Sequence, residues 1–366
     1  MSIEFTVEPN QNPASDARIE EIFADPGFGN YFTDHMATVD WEGTYHDGGQ
    51  WKNARITAYG PLSLDPAAAV FHYGQEVFEG IKAYRHSDGS IWAFRPEVNA
   101  VRLQNSARRL ALPELPEEIF LESVKQLVSI DQKWIPTGEG ESLYIRPFMI
   151  ATEAYLGVRP SHQVKYMVIA SPVGNYFGTP KPVDIWLSTN YARAGVGGTG
   201  AAKCGGNYAA SMIAQLEGEE QGCQQVIFKD PNRDDAIEEL GGMNVFYVFG
   251  KENKVVTPEL TGTILEGVTR KSLLQLAEDR GMTVEERKFT LTEWREGVAN
   301  GDITEVFACG TAAVVSPVGK LKAADFEIPS ATGEEPGEIS MALREELVGI
   351  QTGKIEDRHG WLTRLA

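Results

Sequence analysis

The chain has 366 residues, 42% hydrophobic and 23% charged, with a formal net charge of −19 from 52 acids against 33 bases. That is core material for about two domains, and the acidic excess repels phosphodiester backbones and anionic membranes, so the expected partners are small molecules, not nucleic acid or membrane. The opening MSIEFTVEPNQNPASDAR lacks a basic n-region and an apolar h-region, no stretch approaches the ~18 apolar residues of a membrane span, and Cys204, Cys223 and Cys309 form no CxxC pair. A cytoplasmic chain with reduced thiols and no metal site is expected.

In chain order, FTDHMATVDWEG leads to a Gly-rich turn at YHDGGQ, and IKAYRHSDGSIWAFR predicts a hairpin, because Asp-Gly separates two β-rich runs. Pro96 opens a helix with Leu103, Ala107 and Leu110 on one face and Arg102, Ser106 and Arg109 on another. A second helix is predicted over 117–134, then strands at SLYIRPFMIAT and KYMVIASPV. The aperiodic Gly- and Pro-bearing VGNYFGTPKP, residues 173–182, reads as a linker. Beyond it lie a strand at VDIWLSTN, a helix from Asn207 to Gln221, strands at QQVIFK and GMNVFYVFG, and a helix from Thr269 to Arg280 stopped by Gly281. Mixed elements in both halves point to two α/β or α+β domains.

The stretch GGTGAAKCGGNYAAS sets Lys203 among glycines. Gly195 to Gly200 fits G-x-G-x-x-G, but Gly205 and Gly206 follow where a dinucleotide fold needs its helix. A P-loop fails on spacing, with two alanines before Lys203 and Cys204 in place of the hydroxyl. A Schiff-base lysine needs small flanking residues, which are present, yet a solvated loop lysine satisfies the same pattern.

Pyridoxal phosphate also needs a carboxylate facing its ring nitrogen and donors for its phosphate. Glu239 in EELGGMNVFYV suits the first role, or is a solvated strand-leading acid. Val268 and Thr269 at a helix start and Thr311 in CGTAAV suit the second, or are a cap and a turn. Arg146 in LYIRPFMIA shares a face with Tyr144; a cation there needs an anion, either a structural partner or a substrate carboxylate.

FTDHM, YGQEVFEGIKAYR, FRPEVNAVRL, LYIRPF, VGGTGAAKCGGNYAAS, ELGGMNVF, GVTRKSLL and EVFACGTAAVVSPVG, in that order, resemble the branched-chain amino acid aminotransferases, fold type IV pyridoxal phosphate enzymes akin to D-amino acid aminotransferase. The resemblance implies an α/β (α+β) fold: a small domain over 1–175, an interdomain loop over 176–190 and a larger pseudo-barrel domain over 191–366. It implies that Lys203 bonds pyridoxal 5′-phosphate covalently, Glu239 faces the ring nitrogen and Tyr208 bonds the ring hydroxyl. Arg102, Val268, Thr269 and Thr311 would hold the phosphate, with Arg193 and Leu265 nearby and Gly242 and Asn244 completing the cofactor set. Substrate would meet Phe28, Tyr73, Tyr144, Arg146, Val158, Tyr176, Thr311 and Ala312, with Tyr73 and Val158 supplied across a homodimer interface. The implied reaction moves an amino group between leucine, isoleucine or valine and 2-oxoglutarate. Related readings are a D-amino acid aminotransferase, an aminodeoxychorismate lyase and a cofactor-binding protein without turnover. Two departures stand out: a CxxC pair of mammalian members is here Ala313 and Ser316, and a threonine often found after the ring-facing glutamate is here Gly242.

Overall fold

Asp88 and Gly89 turn the chain as their chemistry predicts: Gly89 takes φ +87°, Asp88 accepts the Ser90 N–H at 2.9 Å, and Ala83 pairs with Ala93 across the hairpin. In the computed structural model, which describes residues 3–174, 181–233 and 235–366, this hairpin lies in the first of two units. The first comprises Met1–Tyr176, Ala202–Gly205 and Gln351–Ala366; the second comprises Phe177–Ala201 and Gly206–Ile350. Among the described residues no helix is long and apolar enough to cross a membrane.

The first unit's strands are β1 (Thr6–Val7), β2 (His35–Thr44), β3 (Gly48–Ala58), β4 (Glu76–Phe78), β5 (Ile81–Arg85), β6 (Ile91–Phe94), β7 (Ser142–Ala151) and β8 (Gln163–Val173). They run in the order β1-β3-β2-β8-β7-β5-β6, with β4 also on β7. A last strand, Leu362–Arg364, pairs with β6. Its helices are α1 (Asp16–Ala24), α2 (Ala69–Tyr73), α3 (Pro96–Arg109) and α4 (Glu117–Ile130). In α4 the apolar residues Ile119, Phe120, Val124, Leu127 and Val128 are buried, and removing each from water contributes about 1.5–3 kcal/mol. The helix predicted to Trp134 stops at Ile130 because Asp131 turns inward: its carboxylate accepts the His35 N–H at 2.9 Å and lies 2.7 Å from His35 Nδ1.

One interruption in this sheet matters for the site. β4 and β5 follow a single antiparallel register on β7, Phe78 opposite Phe148 and Ile81 opposite Ile145, which sets Glu79 opposite Pro147. Pro147 has no N–H to give. It still accepts the Glu79 N–H at 2.7 Å, but the ladder breaks there and Glu79 becomes wholly buried.

The second unit holds β9 (Val183–Ser188), β10 (Gln225–Lys229), β11 (Ile237–Leu240), β12 (Asn244–Phe249), β13 (Lys254–Pro258), β14 (Thr283–Arg287), β15 (Glu305–Gly310), β16 (Val314–Lys322) and β17 (Glu327–Ile328). Their order is β11-β10-β9-β16-β15-β12-β13-β14, with β17 on β16. Alternate residues Val183, Ile185 and Leu187 are buried in β9, the strand read in VDIWLSTN, within the 176–190 range assigned to the interdomain loop. Helices α5 (Gly205–Glu220), α6 (Val268–Asp279), α7 (Leu291–Asn300) and α8 (Glu338–Gln351) follow in turn. α6 closes as predicted, with Gly281 at φ +74°.

Candidate active site

Lys203 is fixed through its own backbone. Its N–H donates to Ser106 Oγ on α3 at 2.9 Å, and its carbonyl accepts the Phe78 N–H at the end of β4 at 3.0 Å. Ala202 and Cys204, each 2% exposed, belong to the first unit's apolar core. The half-buried Lys203 side chain between them places Nζ 4.8 Å from the Phe78 ring centroid, a favourable seat for an ammonium. The small flanking residues thus anchor the lysine as well as leaving room beside it.

Around it the first unit gathers buried charge. Glu79 takes Arg102 through two parallel bonds, Nε to Oε1 at 2.7 Å and Nη2 to Oε2 at 2.8 Å, and Asn99 Nδ2 at 2.7 Å. Arg146 donates to the Tyr144 hydroxyl at 2.9 Å. Its guanidinium carbon lies 4.7 Å from the Phe78 centroid and 5.3 Å from that of Tyr144, while its buried Nε has no hydrogen-bond partner. Glu76 accepts the Gly205 N–H; burial pushes its carboxyl above the usual range, opposed by that bond and by the Arg146 charge. A Cβ on Gly80 would overlap the Tyr144 hydroxyl, so glycine is required where Tyr144 crosses the chain. Phe28 tilts against Tyr144 with centroids 4.9 Å apart.

In the second unit the carboxylate of Glu239 is held by three groups and keeps acceptor capacity for a fourth. Oε1 pairs with Arg193 Nη1 at 2.7 Å and accepts the Leu265 N–H at 2.9 Å, and Oε2 accepts Asn244 Nδ2 at 3.1 Å. Three donors, one a guanidinium, suit an ionised carboxylate. Asn244 is oriented in turn by the Leu265 carbonyl at 3.0 Å, and Arg193 by the carbonyls of Thr263 at 3.0 Å and Gly200 at 3.3 Å. α6 starts at Val268 and Thr269, both buried, behind Gly267, which makes no side-chain cap bond; first-turn N–H groups left this way suit an anion. Thr311 and Ala312 lie in the turn that joins β15 to β16, where Gly310 pairs with Val314. Val314 has φ +63°, a left-handed conformation that costs a β-branched residue roughly 1–3 kcal/mol and is characteristic of functional turns.

Two comparisons decide the family. The sequence pattern of the family described as amino-transferase class IV matches residues 76–321. A branched-chain-amino-acid aminotransferase of Mycolicibacterium smegmatis is 58% identical over 99% of this chain and 98% of its own length. The chain belongs to the branched-chain amino acid aminotransferases of class IV. Among solved structures, the T.th. branched-chain amino acid aminotransferase with pyridoxamine 5′-phosphate superposes with a TM-score of 0.73 at 28% identity, covering 90% of this chain and 99% of the other. The same enzyme complexed with N-(5′-phosphopyridoxyl)-L-glutamate gives a TM-score of 0.70 at 27% identity, with the same coverage. The fold is therefore fold type IV, and this aminotransferase is a pyridoxal phosphate-dependent transaminase.

Within the first unit the aminotransferase brings Lys203 and Arg146 over the Phe78 ring, and Tyr144 against Arg146. Tyr73 and Val158 stand apart at the surface, 41% and 86% exposed; the Tyr73 hydroxyl donates to the Leu156 carbonyl. In the second unit Arg193, Asn244 and Leu265 all converge on Glu239. Tyr208 lies in α5 with Gly242 beneath it: a Cβ on Gly242 would meet the tyrosine ring at 3.8 Å, an ordinary contact, and nothing in the structure explains the glycine. Tyr176 lies outside the described residues. Sequence reasoning missed Glu79, Glu76 and Phe78. The signal for Glu79 was there: an acid inside the apolar run EVFEGIKAY must find a cation. Burial raises the thiol pKa of Cys223 and pushes that of Cys309 up to about 12, so neither has the character of a reactive thiolate.

The glycine cluster has two separate explanations. Gly197 takes φ +75°, and a Cβ on Gly200 would overlap the Thr263 backbone, the stretch of chain whose carbonyl holds Arg193. Gly200→Ala is expected to cost about 1–3 kcal/mol by overpacking and to loosen the Arg193–Glu239 pair. Thermal melts with pyridoxal phosphate titrations check this; wild-type stability and affinity would show that the segment yields freely.

Proposed function

We propose that this aminotransferase transfers amino groups reversibly between L-leucine, L-isoleucine or L-valine and 2-oxoglutarate, with pyridoxal 5′-phosphate bonded to Lys203, and that it works as a homodimer. The residues fit that cofactor: a lysine amine seated beside small residues, a buried carboxylate oriented by donors with acceptor capacity to spare, and a helix start without a side-chain cap. In this reading Glu239 holds positive charge on the ring nitrogen, and Tyr208 bonds the ring hydroxyl. Arg102 shares its charge between Glu79 and the phosphate, and Val268, Thr269 and Thr311 bind the phosphate's other edges.

Bound pyridoxal phosphate supplies the electron sink that makes the substrate Cα proton acidic. Lys203 Nζ, released when the substrate amine takes its place on the cofactor, would take that proton and return it on the other side of the amino transfer. The Thr311-Ala312 turn holds the α-carboxylate common to all substrates, and Phe28 and Tyr144 wall an apolar slot for a branched side chain. Exposed Tyr73 and Val158 contribute to the site of a second copy.

The observation that carries this reading is Arg146. Among the described residues it has no acid within ion-pair distance, and it sits against the Phe78 and Tyr144 rings. An apolar slot edged by one such cation accepts leucine through its walls and glutamate through the side-chain carboxylate; the T.th. enzyme's complex with a phosphopyridoxyl-L-glutamate supports a site that takes the second. Coupled assays of purified protein with each branched amino acid and 2-oxoglutarate test the activity. Arg146→Met is expected to slow the 2-oxoglutarate half-reaction ~30- to 150-fold, the worth of a charge-assisted two-bond contact of roughly 2–3 kcal/mol, while the leucine half changes little. Equal damage to both halves in single-turnover kinetics would assign Arg146 to the α-carboxylate or to the fold.

A further inference from the structure

Next to Glu239 in β11 stands a second acid that the reaction above does not use. Glu238 is 2% exposed, and no well-formed hydrogen bond reaches either carboxyl oxygen, the Thr263 side chain lying only near enough to oppose the rise in its pKa. Neighbouring residues in a strand face opposite sides, so Glu238 looks away from the Arg193–Glu239 pair into a pocket of about 10 Å3, about the space that one water needs. The charged and titratable groups around it are Asp230, Arg233, Glu259 and Lys288 in the pocket wall, with Glu239 and Arg193 behind. Of the wall cations, Arg233 is already paired with Glu259 at 2.7 Å.

An orphaned buried carboxyl is costly unless it changes charge to suit its surroundings. The cluster beside it supplies a reason. Arg193 and Glu239 pair with each other, and a protonated ring nitrogen against Glu239 would add one positive charge, which an ionised acid nearby would help to offset. A connection exists through Thr263: its side chain approaches the Glu238 carboxyl, and its carbonyl holds Arg193 at 3.0 Å. We propose that Glu238 is the charge-compensating, positioning residue of the cofactor site, its ionised form favoured when a protonated ring nitrogen sits against Glu239. This rests on the reading of Glu239 as the ring's partner.

Burial pushes the Glu238 carboxyl up to about 7, with Asp230 and Glu239 adding to the rise and Thr263 and Arg193 opposing it. The group therefore changes charge near neutral pH.

The test is the dissociation constant of pyridoxal phosphate for the full chain, read by absorbance between pH 5.5 and 8, for wild type, Glu238→Gln and Glu239→Gln. Glu238→Gln is expected to bind like wild type at pH 5.5, where both side chains are neutral, and about 10-fold more weakly at pH 8, the scale of one charge interaction in a partly screened interior. A purely structural role would give a ratio constant with pH, and that result overturns the proposal. Glu239→Gln with wild-type affinity and absorption band would instead overturn the reading it rests on. If Glu238→Gln does not fold, Glu238→Asp, which draws the acid back by one methylene, must shift the pH at which affinity changes; an unshifted profile also contradicts the proposal.

Discussion

Lys203→Ala is expected to slow amino transfer by at least about 10^4-fold, because it removes both the covalent anchor and the amine that carries the Cα proton. Stability should hardly change. What holds this segment in place is the pair of buried neighbours Ala202 and Cys204, together with the backbone bonds to Ser106 and Phe78, none of which the substitution touches. A small primary amine added to the variant should restore part of the rate, since it supplies a proton carrier without the tether. Turnover with leucine, a thermal melt and the amine titration read these three effects. Retention of more than about a hundredth of wild-type activity would move the proton-transfer role to another residue.

The second large effect is at Glu239. Glu239→Gln keeps the volume but withdraws the negative charge from the ring nitrogen, and loss of one preorganised electrostatic partner typically costs 10²–10³-fold in turnover. The hydrogen bonds add a stability cost. Where Oε2 now accepts from Asn244 Nδ2, a glutamine amide would meet donor with donor. Asn244 would then have to turn and give up the Leu265 carbonyl, at about 1–3 kcal/mol for groups left unsatisfied. Single-turnover rates with leucine and a thermal melt check both consequences. A variant with near-wild-type single-turnover rates would mean that a different carboxylate faces the ring.

Much of this was legible in the sequence because local chemistry decided it. Asp-Gly at 88–89, Pro96 at a helix start and Gly281 past a helix end each act within a few residues. Period-two placement put Tyr144 and Arg146 on one face, and they do bond. Less visible were facts that depend on distant partners. β11 reads as IEEL, and two adjacent acids hide a strand whose four residues are all buried; what buries them is pairing with β10, Ile227 opposite Leu240. The break at Glu79 comes from Pro147, far along the chain. Arg193 carried no local signal for its pairing with Glu239, since the loop that joins them, residues 263–265, contributes backbone atoms whose placement no side-chain pattern announces.

Whether Lys203 bonds the cofactor is read from borohydride reduction of the holoenzyme. Reduction should fix the cofactor irreversibly, and peptide mapping by mass spectrometry should place the added mass on Lys203 within GGTGAAKCGGNYAAS. Label on any other lysine, or none on a protein that still turns over leucine and 2-oxoglutarate, would contradict the account.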